Sequence, residues 1–169
     1  VDYVLDGGPC MVGIESTIID YSRGHPVLLR PGKVLPETIE AITGERVSVM
    51  DAAAPRASGT LKAHYAPSTP LRMLPLPLLL DRLQTVSGIR QAALLMHPDS
   101  PFGVSDERIF PMPVDAPAYA RILYRVLRQL DAMAWDEILV EMPPETSEWQ
   151  AVRDRLTRAV AGSGRRRRG

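Results

Sequence analysis

The chain has 169 residues, of which 45% are hydrophobic and 24% charged, enough apolar material for one sizeable core or two small ones. Its 20 basic and 20 acidic residues cancel, so no overall charge points to nucleic acid, a membrane surface or a highly charged partner. The one cysteine, Cys10, excludes an internal disulfide, and the longest apolar stretch, 71–80, is too short to span a membrane. We therefore expect a cytoplasmic protein without a membrane segment.

Charge is unevenly distributed along the chain. Four of the basic residues, Arg165 to Arg168, are consecutive, so residues 1–164 carry four more acidic than basic groups. This run predicts a disordered basic tail over residues 163–169, although it also suits weak electrostatic contact with nucleic acid. At the other end, the sequence opens Val1-Asp2-Tyr3 without a methionine, and we expect that upstream residues are missing.

Two short runs rich in aliphatic residues, 16–20 and 27–30, are separated by the turn-forming sequence YSRGHP. They predict a pair of antiparallel strands. A short helix should follow from Pro36, with two isoleucines on one face and Gly44 as its C-terminal cap. These elements are too few to close a core by themselves. Residues 52–70 are small and polar and contain three prolines, which predicts an interdomain linker.

After the linker, strand and helix patterns alternate. Apolar runs and helical periods predict strands at 71–74, 92–96, 108–112 and 137–142, and helices at 76–86, 116–134 and from 147 onward. The order strand, helix, strand, strand, helix, strand, helix implies a Rossmann-like small α/β/α domain with a mostly parallel sheet over residues 71–162. The strand at 108–112 is expected at an edge of this sheet.

Two of these helices carry explicit start signals. Asp115 should cap the long helix, and Ser147 to Gln150 form a capping-box pattern at the start of the last one, where Trp149 belongs to the apolar face. The predicted apolar stripe of the long helix consists of Ile122, Val126, Leu127, Leu130 and Met133.

Motifs for nucleotide and hydrolase sites of the common types are missing from the sequence. It contains no GxxxxGK[ST], GxGxxG, GxSxG or HExxH pattern. The histidines and Cys10 lack metal-ligand spacing, so we expect no metal site made by the protein alone. No residue is identified as catalytic from these patterns.

The first dense polar segment is GGPCMVGIESTIID, residues 7–20. Its glycines would let a ligand or another strand approach the backbone, and Ser16 and Thr17 point to opposite faces if the run is a strand. The alternative is a tight turn followed by an ordinary edge strand. Arg30 ends the next apolar run before Pro31-Gly32, and its anchored guanidinium suits a phosphate or carboxylate. The alternative is an arginine whose side chain reaches out to solvent at a strand end.

The linker holds a varied polar set, Lys62, His64 and Tyr65, with Ser58-Gly59 as a possible hinge. Folded over a site, Tyr65 would stack on a base while Lys62 or His64 approached phosphates. An ordinary flexible tether is the alternative.

Three arginines, Arg121, Arg125 and Arg128, are spaced i, i+4 and i+7 on the long predicted helix. They form either a basic stripe for RNA or a solvated helix face.

The strings GGPCMVGIESTIID, LLRPG and SGTLKAHYAPSTPL, in this order, resemble the end of the YrdC-type catalytic domain and the linker of threonylcarbamoyl-AMP synthases in their long, two-domain form. The strings LYRVLRQLDAMAWDEILVE and WQAVRDRLTRA are similar to the appended α/β Sua domain of that form. The resemblance therefore implies a YrdC-type remnant at 1–51, a linker at 52–70 that closes over the active site, and a Sua-type domain at 71–162.

The activity implied by this resemblance is that of a nucleotidyltransferase. Such an enzyme joins L-threonine, bicarbonate and ATP into threonylcarbamoyl-AMP, releases pyrophosphate, and passes the intermediate to separate transferase proteins that modify the tRNA adenosine beside the anticodon. By analogy, Ser16 contacts threonine, Arg30 contacts the nucleotide phosphates and Tyr65 closes over the nucleotide, with Thr17, Lys62 and His64 as weaker candidates. Mg²⁺ would arrive with ATP, held largely by phosphate oxygens and water.

The sequence departs from the family in its length. The family's catalytic domain begins well upstream of the position that Ser16 matches, so we expect residues 1–169 alone not to make the adenylate. One alternative is a non-catalytic module that binds nucleotide or RNA and regulates a partner. Another is a purely structural α/β domain that holds the linker over an active site.

Overall fold

The computed structural model of the chain describes residues 2–8, 10–52, 54–55, 57–58, 65–96 and 106–164. Of the predicted tail at 163–169, residues 165–169 lie outside these ranges, as do Gly59, Lys62 and His64 of the linker. None of the helices in the described ranges has the length and hydrophobicity that a membrane span requires.

A three-stranded sheet forms in the first fifty residues. Strand β1 (Ile18–Asp20) pairs antiparallel with β2 (Val27–Arg30), as the sequence predicts, and β3 (Ser48–Val49) adds to β2 in parallel. The first strand is shorter than the predicted 16–20, so Ser16 and Thr17 precede it. Between β2 and β3 lies helix α1 (Pro36–Thr43), which ends at Gly44. The sequence gives no signal for β3, because its two residues are exposed and too few to show a period.

The C-terminal cap of α1 is confirmed. Gly44 adopts a φ of 73°, a left-handed conformation that suits glycine, and its backbone N–H donates to the Glu40 carbonyl at 2.8 Å. The predicted apolar face of α1 is not buried, however. Ile42 is 81% exposed, and no residue of the helix is fully covered.

The second sheet has four parallel strands in the order β4, β7, β5, β6. Its elements are β4 (Leu71–Leu74), α2 (Leu76–Thr85), β5 (Gln91–Leu95), β6 (Ile109–Pro111), α3 (Ala116–Ala132), β7 (Glu137–Glu141) and α4 (Gln150–Gly162). This is the predicted order of strands and helices, with β6 at the predicted edge. The sheet is covered on one face by α3 and α4 and on the other by α2, which explains why β5 and β7 are buried throughout.

The predicted stripe of α3 is partly wrong. Leu127 and Leu130 are buried, but Ile122 and Val126 are only half-buried and Met133, beyond the last helical residue, is 41% exposed. The buried face includes Leu123, which the predicted stripe omitted, and continues through small and aromatic side chains that an aliphatic pattern overlooks: Ala116, Tyr119 and Ala120.

The two predicted helix starts have different outcomes. Asp115 caps α3 as predicted, because its carboxylate accepts a hydrogen bond from the Ala118 N–H at 2.9 Å. The capping box at Ser147 does not form. A 3₁₀ turn over Ser147–Trp149 precedes α4, and no side chain caps either the turn or the helix.

Candidate functional site

Ser16 and Arg30, which the sequence singled out separately, lie side by side at the open end of the first sheet. The Arg30 Nε donates to the Ser16 carbonyl at 2.9 Å, and Nη2 donates to the Ser16 hydroxyl at 3.2 Å. The antiparallel register brings them together, since Ile18 pairs with Arg30. Arg30 is 7% exposed, so its side chain does not extend into solvent in the way that the alternative predicted.

The linker reaches the same guanidinium. Arg30 Nη1 donates to the carbonyl of Ser58 at 2.8 Å. One arginine therefore ties together the segment before β1, the end of β2 and the predicted hinge of the linker. Each terminal nitrogen carries a second N–H group, so the guanidinium retains donors for an anion beside these bonds.

A close backbone approach around Gly32 makes this arrangement possible. A Cβ atom at Gly32 would lie 2.3 Å from the Thr17 nitrogen and 2.6 Å from the Ser16 carbonyl carbon, so no other residue fits there. Thr17 closes the same contact with its side chain, donating to the Val34 carbonyl at 2.8 Å and accepting from the Val34 N–H at 3.1 Å. The Thr17 hydroxyl is thus engaged in holding the loop after β2.

Tyr65, the only described residue of the three predicted in the linker, packs on α3. Its ring centroid lies 4.7 Å from that of Tyr124 at an interplanar angle of 43°, and 54% of Tyr65 remains exposed. The residue has a φ of 51°, an unusual value for a non-glycine residue. Ala66, Pro67 and Arg128 join the two rings around a small pocket of about 120 Å³.

Below this ring pair lies a polar cluster that the sequence did not predict. The carboxylate of Glu15 accepts from the Tyr124 hydroxyl at 3.2 Å and from Arg155 Nε at 2.6 Å. Arg155, on α4, also donates to the Pro31 carbonyl at 3.1 Å and is 3% exposed. A signal was present, since an arginine three positions after Val152 and one before Leu156 falls on the buried side of α4.

Ionisation in this cluster is set by burial and by Arg155. Burial alone would raise the pKa of Glu15, but the hydrogen bonds and charge of Arg155, with help from Tyr124, lower it below its ordinary value. Burial and the neighbouring Glu15 raise the pKa of Tyr124. At neutral pH the cluster therefore contains a carboxylate, a guanidinium and an uncharged phenol.

The residues of the predicted arginine stripe line an open groove of about 910 Å³ along α3, together with Cys10 and Met11. Within the described part of the chain, Arg121, Arg125 and Arg128 make no hydrogen bond or ion pair with a protein group. The predicted close approach at Gly13 occurs here. Gly13 has a φ of 76°, and a Cβ on it would lie 2.3 Å from the Arg121 Cα, so its neighbour is a helix rather than a strand.

Ligands for a metal ion are not grouped anywhere in the described ranges, where no three His, Cys, Asp or Glu side chains come together suitably. The geometry instead offers a serine hydroxyl beside a buried guanidinium, which can bind a small polar molecule and an anion next to each other.

Comparison with known proteins gives a consistent result. Residues 34–161 match the family described as "Threonylcarbamoyl-AMP synthase, C-terminal domain". The chain is similar to the curated threonylcarbamoyl-AMP synthases of Pyrococcus abyssi (strain GE5 / Orsay), at 29% identity, and Bacillus subtilis (strain 168), at 30% identity. Each alignment covers 94% of this chain and 49% of the relative, so the chain spans about half the length of these proteins.

Solved structures agree with the sequence relatives. The crystal structure of P. abyssi Sua5 complexed with L-threonine superimposes with a TM-score of 0.72 at 28% identity, covering 94% of this chain and 50% of that one. A double-alanine variant of the same protein gives a TM-score of 0.70 at 29% identity, covering 94% and 49%. Because the family match extends over most of the sequence, the chain belongs to the family of threonylcarbamoyl-AMP synthase C-terminal domains.

Proposed function

We propose that the chain is part of an enzyme that makes threonylcarbamoyl-AMP from L-threonine, bicarbonate and ATP, with release of pyrophosphate, in the cytoplasm. The observation that carries the proposal is the Ser16–Arg30 pair, in which a hydroxyl and a buried guanidinium lie 3.2 Å apart. Family membership gives the pair its context, since a relative in this family has been solved with L-threonine. The product would serve tRNA threonylcarbamoyl transferase proteins, which modify the adenosine beside the anticodon.

Each residue has a distinct part in this proposal. The exposed Ser16 hydroxyl binds L-threonine, and Arg30 binds the nucleotide phosphates through charge-assisted hydrogen bonds. Tyr65, on the linker, provides an aromatic face for the nucleotide. Thr17 is a weaker candidate, because its hydroxyl already serves Val34. Lys62 and His64 remain candidates from the sequence alone.

The Ser58 carbonyl gives the linker a way to respond to the nucleotide. It accepts a hydrogen bond from Arg30 Nη1, a donor that a phosphate would bind more strongly because the phosphate is charged. A phosphate that takes this N–H releases the linker at Ser58. Mg²⁺ enters with ATP in this scheme, coordinated mainly by phosphate oxygens and water, as is usual for this ion.

We also propose that residues 1–169 need the part of the enzyme that they do not match, since they span about half of the relatives. The experiment that tests both proposals uses a hybrid of this chain and the unmatched N-terminal part of the B. subtilis relative. We expect the hybrid to release pyrophosphate from ATP in a threonine-dependent manner.

Variants of the hybrid test the roles proposed for Arg30 and Ser16. Arg30→Ala should lower kcat/KM for ATP on the order of 100-fold, since a clamp on the phosphates is lost. Ser16→Ala should raise KM for L-threonine about tenfold, the usual effect of one lost hydrogen bond. Arg46→Ala, an exposed change of the same type, should have no effect. Equal activity of the Arg30 and Arg46 variants would contradict the assignment.

RNA binding is the second candidate function, favoured by the stripe of Arg121, Arg125 and Arg128 beside the Tyr65–Tyr124 pair. Unpaired guanidiniums next to an exposed aromatic ring suit a nucleic-acid strand. If the stripe binds tRNA, log K should fall with log[salt] at a slope of about −2 to −3, since each phosphate neutralised contributes nearly one. Changing the stripe to glutamine should remove this slope, whereas glutamine at Arg23, Arg46 and Arg153 should not. Equal salt slopes for the stripe variant and the control variant would show that the stripe does not bind tRNA.

A further inference from the structure

Two clefts flank the contact between the first sheet and helix α4. A cleft of about 620 Å³ borders it on one side, lined by Pro31, Asp154 and Arg158 among others. A second cleft of about 450 Å³ borders it on the other side, lined by Ile14, Gly32 and Val152 among others. The described residues between the two clefts therefore help to determine how the first sheet lies on α4.

Arg155 occupies the contact between these clefts. Its Nε bonds Glu15 at 2.6 Å, Nη2 bonds the Pro31 carbonyl at 3.1 Å, and Nη1 bonds Asp154 at 2.5 Å. Glu15 precedes Ser16, and Pro31 follows Arg30. The fork of one buried guanidinium therefore holds the immediate neighbour of each residue in the proposed binding pair.

We propose that Arg155 is a positioning residue, which fixes the Ser16 and Arg30 side chains relative to each other by holding Glu15 and Pro31 from helix α4. The expected effect on substrate binding rests on the proposed function. The claim that Arg155 holds Glu15 and Pro31 rests only on the hydrogen bonds in the structure. The Sua-type layer would then contribute to the binding site without touching substrate.

The chemistry of the contact requires arginine. A guanidinium is planar and donates in two directions at fixed angles, so it can bond a carboxylate and a carbonyl at once. A lysine ammonium is a compact charge on a flexible stem and would keep Glu15 or Pro31, but not both in the same geometry. Tyr124 extends the cluster toward the linker, since its hydroxyl bonds Glu15 while its ring packs on Tyr65.

The first test measures backbone hydrogen exchange in the 169-residue chain and needs no activity. Arg155→Gln should speed exchange at least tenfold in residues 14–18 and 30–34, while β4, β5 and β7 keep the rates of the unaltered chain. Arg153→Gln is the matched control, because Arg153 lies on the same helix and pairs with the exposed Glu145. The proposal would be overturned if exchange at 14–18 and 30–34 were unchanged, or if exchange became faster to the same extent in both sheets.

The second test measures KM and kcat in the hybrid enzyme. Arg155→Gln should raise KM for L-threonine and for ATP together, about tenfold each, whereas Ser16→Ala raises only the first. Arg155→Lys should restore part of the loss, and Glu15→Gln should add little to Arg155→Gln, since both act through one contact. Lower thermal stability with both KM values unchanged would reduce Arg155 to a structural residue. A hybrid without threonine-dependent activity would contradict the proposed function instead, and leave the exchange result to decide on Arg155.

Discussion

Asp131 is the residue through which helix α3 holds the end of the predicted linker. Its two carboxylate oxygens accept hydrogen bonds from the backbone N–H and the hydroxyl of both Ser68 and Thr69, at 2.8 to 3.2 Å. Burial alone would raise the pKa of Asp131, but these four donors lower it. A single side chain thus fixes where the linker meets the second sheet.

Replacing Asp131 by alanine should lower the free energy of unfolding by about 1–3 kcal/mol, because it leaves a half-buried set of donors without an acceptor. Denaturant unfolding measures this change. Asp81→Ala, an exposed substitution of the same kind on α2, serves as the control and should be nearly neutral. A loss no larger than that of the control would show that the linker end is held by other contacts.

Glu137 makes the stability of the fold depend on pH in the acidic range. Its carboxylate, 4% exposed, accepts hydrogen bonds from Arg72, Arg82 and Gln91. Burial opposes ionisation, yet the hydrogen bonds of Arg82, Gln91 and Arg72 outweigh it and hold the pKa below the ordinary value of 4.5. A group with a lowered folded-state pKa stabilises the protein above the unfolded-state pKa, and this stabilisation is lost as pH falls through the folded-state pKa.

Glu137→Gln should therefore cost about 1.5–3 kcal/mol at pH 7, the usual range for hydrogen bonds to a charged group, and clearly less at pH 2.5. Urea unfolding of both proteins across this pH range measures the difference. Glu148→Gln, an exposed substitution, should show no such convergence. A gap between the two proteins that stays constant with pH would rule out ionised Glu137 as its source.

At the level of helices and strands, the second sheet was predictable and the first was only partly so. Continuous apolar runs and long amphipathic helices leave strong periods, and the order from β4 to α4 follows from them. Strand β3 is two exposed residues long, and the start of α4 is a 3₁₀ turn, so neither leaves a period to detect. The stripe of α3 was misplaced because its buried face contains alanine and tyrosine.

Gly13 controls how the segment before β1 lies on helix α3. Gly13→Ala should separate this segment from α3, since the new Cβ would meet the backbone of Arg121. Limited proteolysis should then cut near residues 10–14 several times faster, while the melting of the second sheet is unchanged. Gly24→Ala is a close control, because Gly24 has a similar φ of 78° but open space around it. Equal protection of both variants would mean that Gly13 is not a point of contact.

Across the chain, some residues of the proposed site could be predicted from the sequence and others could not. Ser16, Arg30 and Tyr65 stand in motifs that resemble the family, and the structure brings the first two within hydrogen-bond distance. Glu15 and Arg155 are 140 positions apart, and no period or motif connects them. Only the fold, by packing α4 against the first sheet, places them together.

Among the described residues, Arg155 is the most buried polar side chain that joins helix α4 to the first sheet. The chain spans about half of its curated relatives, and several large apolar side chains in its first fifty residues are exposed, including Leu5 at 98% and Val49 at 80%. These features agree with the proposal that activity needs more than residues 1–169. The hybrid enzyme is therefore the right sample for questions of activity.

The decisive measurement is product detection with ¹³C-labelled bicarbonate, L-threonine and MgATP, using mass spectrometry of the reaction mixture. We expect the hybrid to form labelled threonylcarbamoyl-AMP, the hybrid with Arg30→Ala to form far less, and the 169-residue chain alone to form none. Labelled product from the chain alone would contradict the requirement for a larger enzyme. Absence of labelled product from a folded hybrid would contradict the proposed function itself.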